Sequence, residues 1–231
     1  MRIITRQLRS RKGGRRLIKG VIFDLDGVLV STDELHYQAW KRLAGEIGIS
    51  DFTKKDNEAQ RGIGRMESLE VLLQKTDKAY SPEEKQEMAF RKNEYYKALL
   101  NEMSPQSLLP GAADTLKLLK ERGVKLAVGS ASANAPVILE RIGILEWLDA
   151  YSSGLDTSAS KPDPEVFLIA ADRLGIPPEE CLVVEDAPAG IRAARAGGMH
   201  CMGVGPLHEN LGADFHAGDL SRVVNWDEVL L

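Results

Sequence analysis

The chain has 231 residues, of which 43% are hydrophobic and 28% are charged. This length and composition are typical of a globular protein that buries a substantial core. No apolar run approaches the roughly 20 residues that a membrane-spanning helix needs, so we expect no membrane span. Cys181 and Cys201 lie in separate strand-like runs, which predicts reduced core thiols and a cytoplasmic protein.

The net charge of −4 conceals a strongly basic N-terminus. Residues 1–20 contain six Arg and two Lys and no acid. We treat residues 1–17 as a basic arm, which is either a solvated tail, an Arg-rich leader or a contact for an anionic surface or nucleic acid. The rest of the chain is acidic, which disfavours a nucleic-acid groove. We therefore expect neither nucleic acid nor membrane as a partner.

The first predicted strand covers residues 17–24, and the pattern then becomes helical. Apolar residues recur at helical spacing from Asp33 onwards, and a short helix is predicted over residues 68–74. Ser81 followed by Pro82 indicates the start of a longer helix that runs through Leu99. Residues 32–102 thus contain predicted helices and no predicted strand.

Helices and strands alternate after this block. The pattern predicts helices over 112–122, 136–142, 164–174 and 189–196, with strands over 124–128, 150–152, 181–184 and 201–204. Such alternation is typical of an α/β fold with a doubly wound parallel sheet. We expect a Rossmann-like core formed by residues 18–31 and 103–231. An all-helical cap of residues 32–102 is inserted after the first strand.

Asp24 and Asp26 are two carboxylates at the end of the first predicted strand. Residues two apart on a strand point to the same side, so both acids can face one site. Two acids this close repel each other unless a proton or a metal intervenes. Gly27 then permits a sharp turn. An ordinary acidic turn without function is the alternative for this motif alone.

Later strand ends carry complementary groups. Ser130 ends one predicted strand, Lys161 lies in the loop after the next, and Glu185 with Asp186 ends a third. Because the carboxyl ends of parallel strands share one edge of the sheet, these groups are expected to converge there. A site with carboxylates, a hydroxyl and one ammonium group is predicted.

These motifs, in this order, resemble those of the haloacid dehalogenase-like phosphotransferases. The resemblance implies that Asp24 is a nucleophile that attacks a phosphoryl group. It also implies that Asp26 is a general acid and base for the leaving and entering oxygens. Lys161 and Ser130 would stabilise the charge that spreads over the transferred oxygens.

The same resemblance implies a Mg²⁺ cofactor. A carboxylate approaching a phosphate dianion is repelled, and a divalent cation offsets this repulsion. Hard oxygen ligands suit Mg²⁺. The implied ligands are the Asp24 carboxylate, the Asp26 backbone carbonyl, Glu185 and Asp186.

The helical block resembles the cap of the β-phosphoglucomutases within this family, on the segments 33–40, 60–65 and 91–93. Segment 129–136 of the core is similar to the same group. In this resemblance Arg65 grips the distal phosphate of a sugar bisphosphate, a role that a guanidinium suits. The implied substrate-binding residues are His36, Trp40, Arg61, Gly62, Ile63, Gly64, Arg65, Ser68, Lys92, Ala131, Ser132 and Asn134.

Several of these residues have simpler interpretations. His36 and Lys92 match positions that hold the acid/base Asp and the hinge in the active arrangement, yet each is by default a surface group. Trp40 either lines the sugar pocket or belongs to the core of the cap. Glycines 62 and 64 are expected to leave backbone N–H groups accessible to a ligand. Ala133, where related mutases can carry lysine, leaves the substrate preference open.

The resemblance implies a β-phosphoglucomutase, and we expect a monomer. Such an enzyme interconverts β-glucose 1-phosphate and glucose 6-phosphate through β-glucose 1,6-bisphosphate. The expected partners are therefore a sugar phosphate substrate and the bisphosphate intermediate. The alternative is a Mg²⁺-dependent sugar-phosphate phosphatase of the same family, in which water accepts the phosphoryl group. A non-catalytic binder that uses the basic arm would leave the converging motifs without a role.

Overall fold

The structure is a computed structural model that describes residues 17–60, 63–223 and 225–231. Residues 1–16 of the predicted basic arm lie outside these described residues, as do Arg61 and Gly62. Six strands and nine α-helices occur in the described part of the chain. In chain order they are β1 (Gly20–Phe23), α1 (Asp33–Glu46), α2 (Lys54–Glu58), α3 (Arg65–Leu73), α4 (Pro82–Leu100), α5 (Ala112–Glu121), β2 (Lys125–Gly129), α6 (Ala135–Arg141), β3 (Ala150–Ser152), α7 (Glu165–Leu174), β4 (Cys181–Glu185), α8 (Pro188–Ala196), β5 (His200–Gly203), β6 (Phe215–His216) and α9 (Trp226–Leu230).

The chain divides into two compact units, which we call the sheet unit and the helical unit. The sheet unit comprises the segment that ends at Ser31 together with Pro105–Leu231, and the helical unit is Thr32–Ser104. The strands of the sheet unit lie in the order β3-β2-β1-β4-β5-β6, and all neighbouring pairs are parallel. The α/β class predicted from the sequence is therefore confirmed.

Strand β1 lies at the centre of the sheet, and its position determines where the acidic motif lies. All four of its residues are buried, as expected for a parallel strand covered on both faces. Phe23, its last residue, is in register with Val128 of β2 and Val184 of β4. The chain segments that follow β1, β2 and β4 consequently leave the sheet at one edge.

The predicted helices and strands of the sheet unit are present, with ends shifted by a few residues. The largest shift is at β1, which covers Gly20–Phe23 rather than residues 17–24. The N–H of Ile18 donates to the carbonyl of Leu230 in α9 rather than to a neighbouring strand, and the chain turns after Phe23. Strand β6 and helix α9 were not predicted. Each has five residues or fewer, which is too short to show a hydrophobic period.

The helical unit has a core of its own. Trp40 and Leu43 of α1 pack with Leu69 of α3 and Met88 of α4. Helix α4 begins as predicted, with the Ser81 hydroxyl accepting a hydrogen bond from the Glu84 N–H. Helix α2 was not predicted, although Thr53 caps it in a reciprocal pattern with Asp56.

None of the helices in the described residues combines the length and the apolar character that crossing a bilayer requires.

The two cysteines are free and lie in the core of the sheet unit. Cys181 and Cys201 are both buried. Burial raises the pKa of the Cys181 thiol to about 12 and that of the Cys201 thiol to about 11. These thiols are inert groups of the sheet core rather than reactive ones.

Candidate active site

The acidic motif lies on a tight turn rather than on a strand. Strand β1 ends at Phe23, so the expectation that strand alternation aligns Asp24 and Asp26 is wrong. The N–H of Asp24 donates to the carbonyl of Val184, at 2.9 Å. Gly27 has φ +84° and its N–H donates to the carbonyl of Val30. The turn brings the two acids close enough for the charge of Asp26 to raise the pKa of Asp24.

Lys161 joins two of the strand ends. Its Nζ atom lies 2.6 Å from Oδ1 of Asp24 and 2.8 Å from Oε1 of Glu185. The three side chains are 7%, 10% and 2% exposed. Lys161 precedes a cis proline in the loop between β3 and α7. The sheet therefore brings together three of the four motifs that the sequence singled out.

Charge in this cluster is only partly balanced. Burial raises the pKa of Asp24 to about 7, and Glu185 adds to the rise while Lys161 opposes it. Burial also disfavours the charged form of Lys161, but Asp24 and Glu185 overcome this and raise its pKa above the ordinary value. One ammonium group thus faces several carboxylates. Their excess negative charge would stabilise a further cation in the cluster.

Glycines shape the acidic half of the site. A Cβ atom on Gly190 of α8 would lie 1.8 Å from Oε1 of Glu185. A Cβ atom on Gly27 would lie 2.1 Å from Oδ2 of Asp186. The other oxygen of Glu185, Oε2, accepts a hydrogen bond from the N–H of Ala187 at 2.7 Å. Both carboxylates therefore occupy space that only glycine leaves open.

The acidic residues have the donor set that Mg²⁺ prefers. Carboxylate oxygens of Asp24, Glu185 and Asp186 all lie within 4.8 Å of one another. All are hard oxygen donors, which suit Mg²⁺ better than a thiophilic metal. The surplus of negative charge beside Lys161 also favours a divalent cation. The residues present fit the cofactor that the sequence implied.

The segment after β2 is an ordered polar loop. Ser130 is buried, and its N–H donates to the carbonyl of Ser152 at 3.1 Å. The Ser130 hydroxyl accepts from the N–H of Ser132, whose hydroxyl accepts from the N–H of Asn134. Asn134 is buried before α6, while Ala131 is exposed. The two serine hydroxyls organise this loop at the same edge of the sheet as Asp24.

In the helical unit, Lys92 and His36 form a second polar cluster. The Nζ atom of Lys92 lies 2.7 Å from Nδ1 of His36. The same Nζ atom lies 4.7 Å from the ring centroid of Trp40 and 4.9 Å from that of Tyr96. The Tyr96 ring also stacks on His36, with centroids 4.1 Å apart. Lys92 is 3% exposed, so its nitrogen is held among these groups.

Burial and neighbouring positive charges lower the pKa values of the basic groups in this second cluster. Burial lowers the pKa of Lys92 to about 7, and the positive charge of Arg65 contributes. Burial, Lys92 and Arg65 lower the pKa of His36 well below its ordinary value. His36 is consequently neutral at neutral pH. If Lys92 donates to Nδ1, the imidazole proton is on Nε2.

The remaining cap residues differ in what they offer to a ligand. Trp40 is 2% exposed in the core of the helical unit, and Ser68 is also buried there. Ile63 and Arg65 are exposed. The N–H of Gly64 donates to Oε2 of Glu67 at 2.8 Å, so the expectation that this N–H is accessible to a ligand is wrong. The Gly64–Glu67 pair is a helix cap for α3.

Two residues at these sites were missed by the sequence analysis. Tyr96 contacts both His36 and Lys92, and its signal was its place one helical turn after Lys92 on the long predicted helix. Gly190 accommodates Glu185. A glycine inside a predicted helix is unfavourable without a packing reason, and that was the available signal.

Comparisons with known proteins agree with this architecture. The family model described as haloacid dehalogenase-like hydrolase matches residues 18–198. The chain is 43% identical over 199 residues to β-phosphoglucomutase from Bacillus subtilis, covering 85% of this chain and 88% of that protein. It is 29% identical over 184 residues to a phosphorylated carbohydrates phosphatase from Thermotoga maritima, covering 79% and 82%.

A solved structure extends the likeness to three dimensions. The crystal structure of β-phosphoglucomutase from Clostridium difficile superposes with a TM-score of 0.83 at 36% sequence identity, covering 92% of this chain and 96% of that one. The family model spans the acidic turn, the lysine loop and the second acidic pair. The chain therefore belongs to the haloacid dehalogenase-like hydrolase family.

Proposed function

We propose that this protein is a β-phosphoglucomutase that interconverts β-glucose 1-phosphate and glucose 6-phosphate. The observation that carries the proposal is the group of basic side chains in the helical unit. Lys92 Nζ lies 2.7 Å from Nδ1 of His36, and burial together with the positive charge of Arg65 lowers the pKa of both groups. An anion would relieve the repulsion between Arg65 and Lys92, and a mutase needs a second phosphate site besides the one where transfer occurs.

The sheet unit carries the transfer chemistry in this proposal. An oxygen of Asp24 attacks phosphorus, and the bond from phosphorus to the sugar oxygen breaks. Asp26 donates a proton to that leaving oxygen. It later removes a proton from the sugar hydroxyl that attacks phosphorus, and the bond between phosphorus and the Asp24 oxygen then breaks. Lys161, 2.6 Å from Asp24, neutralises charge on the transferred oxygens, with Ser130 as a hydrogen-bond donor.

Mg²⁺ would be held by Asp24, Glu185 and Asp186 together with the Asp26 carbonyl. When bound, it offsets the repulsion between a carboxylate and a phosphoryl group. Glu185 contributes beyond its charge, because its two oxygens are fixed by Lys161 and by the Ala187 N–H.

We assign substrate-binding roles to residues of each unit separately. We assign Arg65 to the second phosphate, with Arg61, Gly62 and Ile63 beside it in sequence. Neutral His36 would present its Nε2–H to the sugar phosphate. We assign Trp40 and Tyr96 to the support of Lys92, because Lys92 lies against both rings. In the sheet unit we assign Ala131, Ser132 and Asn134 to substrate binding.

A sugar-phosphate phosphatase is the second candidate, favoured by the 29% identity to the Thermotoga maritima phosphatase. The two functions differ in the acceptor of the phosphoryl group. The test supplies the protein with β-glucose 1-phosphate, Mg²⁺ and a trace of β-glucose 1,6-bisphosphate. Glucose 6-phosphate formed in excess of inorganic phosphate supports the mutase, whereas phosphate release without glucose 6-phosphate overturns it. A cytoplasmic monomer stays a prediction from the sequence.

A further inference from the structure

The loop that carries Lys161 is long and has little regular structure. It runs from the end of β3 at Ser152 to the start of α7 at Glu165. Its lysine nevertheless reaches two buried carboxylates with Nζ–O distances of 2.6 and 2.8 Å. A side chain held at these distances requires a loop backbone with a fixed conformation.

One clamp is formed by Glu165 at the start of α7. Its Oε2 atom accepts hydrogen bonds from the N–H groups of Ser158 and Ala159, at 2.7 and 3.0 Å. The Ser158 hydroxyl donates to the same oxygen at 3.1 Å. These backbone hydrogen bonds lower the pKa of Glu165. The clamp ties the loop to α7 two residues before Lys161.

The second clamp is formed by Asp156 and Arg173. Oδ2 of Asp156 accepts from the N–H and the hydroxyl of Ser153 at 2.8 and 3.0 Å. Oδ1 of Asp156 accepts from Nη2 of Arg173 at 2.6 Å, and Nη1 of Arg173 donates to the carbonyl of Tyr151. The Arg173 hydrogen bond is the main reason that the pKa of Asp156 falls to about 2. The Asp156 clamp ties the start of the loop to the end of α7.

The Asp156 clamp also lies next to the ordered polar loop after β2. Next to Ser153, the N–H of Gly154 donates to the carbonyl of Ser132 at 3.2 Å. A Cβ atom on Gly154 would lie 2.3 Å from the carbonyl oxygen of Ala131, so the two loops are in close backbone contact. Movement of Ser153 would therefore disturb both phosphate-facing loops of the sheet unit.

We propose that Glu165 and Asp156 are positioning residues that hold the Lys161 loop, and with it the Lys161 ammonium, against Asp24. The inference rests on the proposed role of Lys161 in phosphoryl transfer. Neither carboxylate contacts the reacting groups, and each acts through the backbone of the loop. Side chains that orient a functional group in this way typically contribute 10- to 100-fold to activity.

The first test measures kinetics with β-glucose 1-phosphate for Glu165→Ala, Glu165→Gln and Asp156→Ala. We expect kcat to fall by about 10- to 100-fold in the alanine variants, with KM changed by less than about threefold. Glu165→Gln keeps an oxygen acceptor for Ser158 and is expected to recover most of kcat. Asp172→Asn, which removes a charge from the exposed face of the same helix, is the matched control. Equal kcat values for Glu165→Ala and Asp172→Asn would overturn the inference.

The second test does not depend on the reaction. The rate of acylation of Lys161 by an amine-directed reagent is measured by peptide mass spectrometry and normalised to the exposed Lys55. Because the Lys161 side chain is 7% exposed and paired, we expect its labelling to be slow in the parent protein. We expect labelling to rise at least about fivefold in Glu165→Ala and Asp156→Ala but not in Asp172→Asn. Unchanged labelling in both alanine variants overturns the inference, whereas an inactive parent protein with raised labelling in the variants overturns only the proposed function.

Discussion

The ammonium group of Lys161 lies 2.6 Å from Oδ1 of Asp24, and both side chains are at most 10% exposed. This pair places a fixed positive charge beside the proposed nucleophile. The same nitrogen also contacts Glu185, so one cation links the first and fourth strands of the sheet in chain order. The pair partly neutralises the acidic cluster and, in the proposed function, stabilises the phosphoryl group that Asp24 accepts.

Removing Lys161 should destabilise the fold as well as the activity. Lys161→Met leaves Asp24 and Glu185 buried together without their cation, which typically costs about 3 kcal/mol or more. The measurement is urea unfolding at pH 7. Lys125→Met is the matched control, because Lys125 forms a more exposed pair with Asp149 and its loss should cost less than about 1 kcal/mol. Equal losses in the two variants would contradict the buried-pair account.

Lys92 should make stability depend on pH. Its pKa is about 7 in the folded state against an ordinary value of 10.5, so the unfolded chain binds more protons between these values. The free energy of unfolding should therefore rise with pH across this window, by up to about 1.4 kcal/mol per pH unit. Unfolding is compared from pH 7 to pH 9 for the parent, Lys92→Met and Lys97→Met. The free energy of unfolding of Lys92→Met should lack this rise. If it rises with pH as steeply as that of the Lys97→Met control, the depressed pKa of Lys92 is refuted.

Gly190 should matter for metal binding despite its place inside a helix. Gly190→Ala puts a Cβ atom 1.8 Å from Oε1 of Glu185, although alanine is ordinarily favoured over glycine in a helix by about 1 kcal/mol. We expect Mg²⁺ affinity, measured by calorimetry, to fall about 10- to 100-fold. Gly197→Ala is the control, because a Cβ atom there meets no neighbour closer than 3.4 Å. Unaltered Mg²⁺ affinity in Gly190→Ala would contradict the claim that metal binding depends on the placement of the Glu185 carboxylate.

Arg65 should discriminate between substrates with and without a second phosphate. Loss of a charged hydrogen bond costs about 1.5–3 kcal/mol, so Arg65→Ala should lower kcat/KM for β-glucose 1-phosphate with bisphosphate by about 10- to 100-fold. Hydrolysis of p-nitrophenyl phosphate, which has one phosphate, should change by less than about threefold. Arg91→Ala serves as the control, since Arg91 is paired with Glu46. Equal losses on both substrates would remove Arg65 from phosphate recognition.

The sequence predicted the sheet well because its signals were local and periodic. The alternation of helices and strands identified five of the six strands found in the described residues. The capping residue Ser81 marked the start of α4 correctly. Elements of two to five residues, such as β6 and α2, were missed because one helical turn or one strand pair carries no measurable period.

The geometry of the site was predictable only in part. Parallel strand ends share an edge, so the proximity of Asp24 and Glu185 followed from topology. The contacts that support Asp24 and Glu185 could not be predicted from topology, because these contacts depend on side-chain rotamers and close backbone approaches. The Gly64 N–H illustrates this limit, since it donates a hydrogen bond to Glu67 three residues later. The depressed pKa of Lys92 likewise depends on burial that no pattern of residues displays.

The partition of the Asp24 phosphoryl group tests the central claim, that the acceptor is a sugar hydroxyl. The protein is phosphorylated with isotopically labelled β-glucose 1,6-bisphosphate, freed of excess donor and mixed with either buffer or unlabelled β-glucose 1-phosphate. Loss of the labelled phosphoryl group from the protein is followed by mass spectrometry, with Asp24→Asn as the variant that should not be phosphorylated. We predict that β-glucose 1-phosphate accelerates the loss of label at least about 100-fold and moves it into glucose 6-phosphate, while the bisphosphate intermediate returns an unlabelled phosphoryl group to Asp24. Equal rates in buffer and sugar phosphate, with inorganic phosphate as the product, would contradict the account.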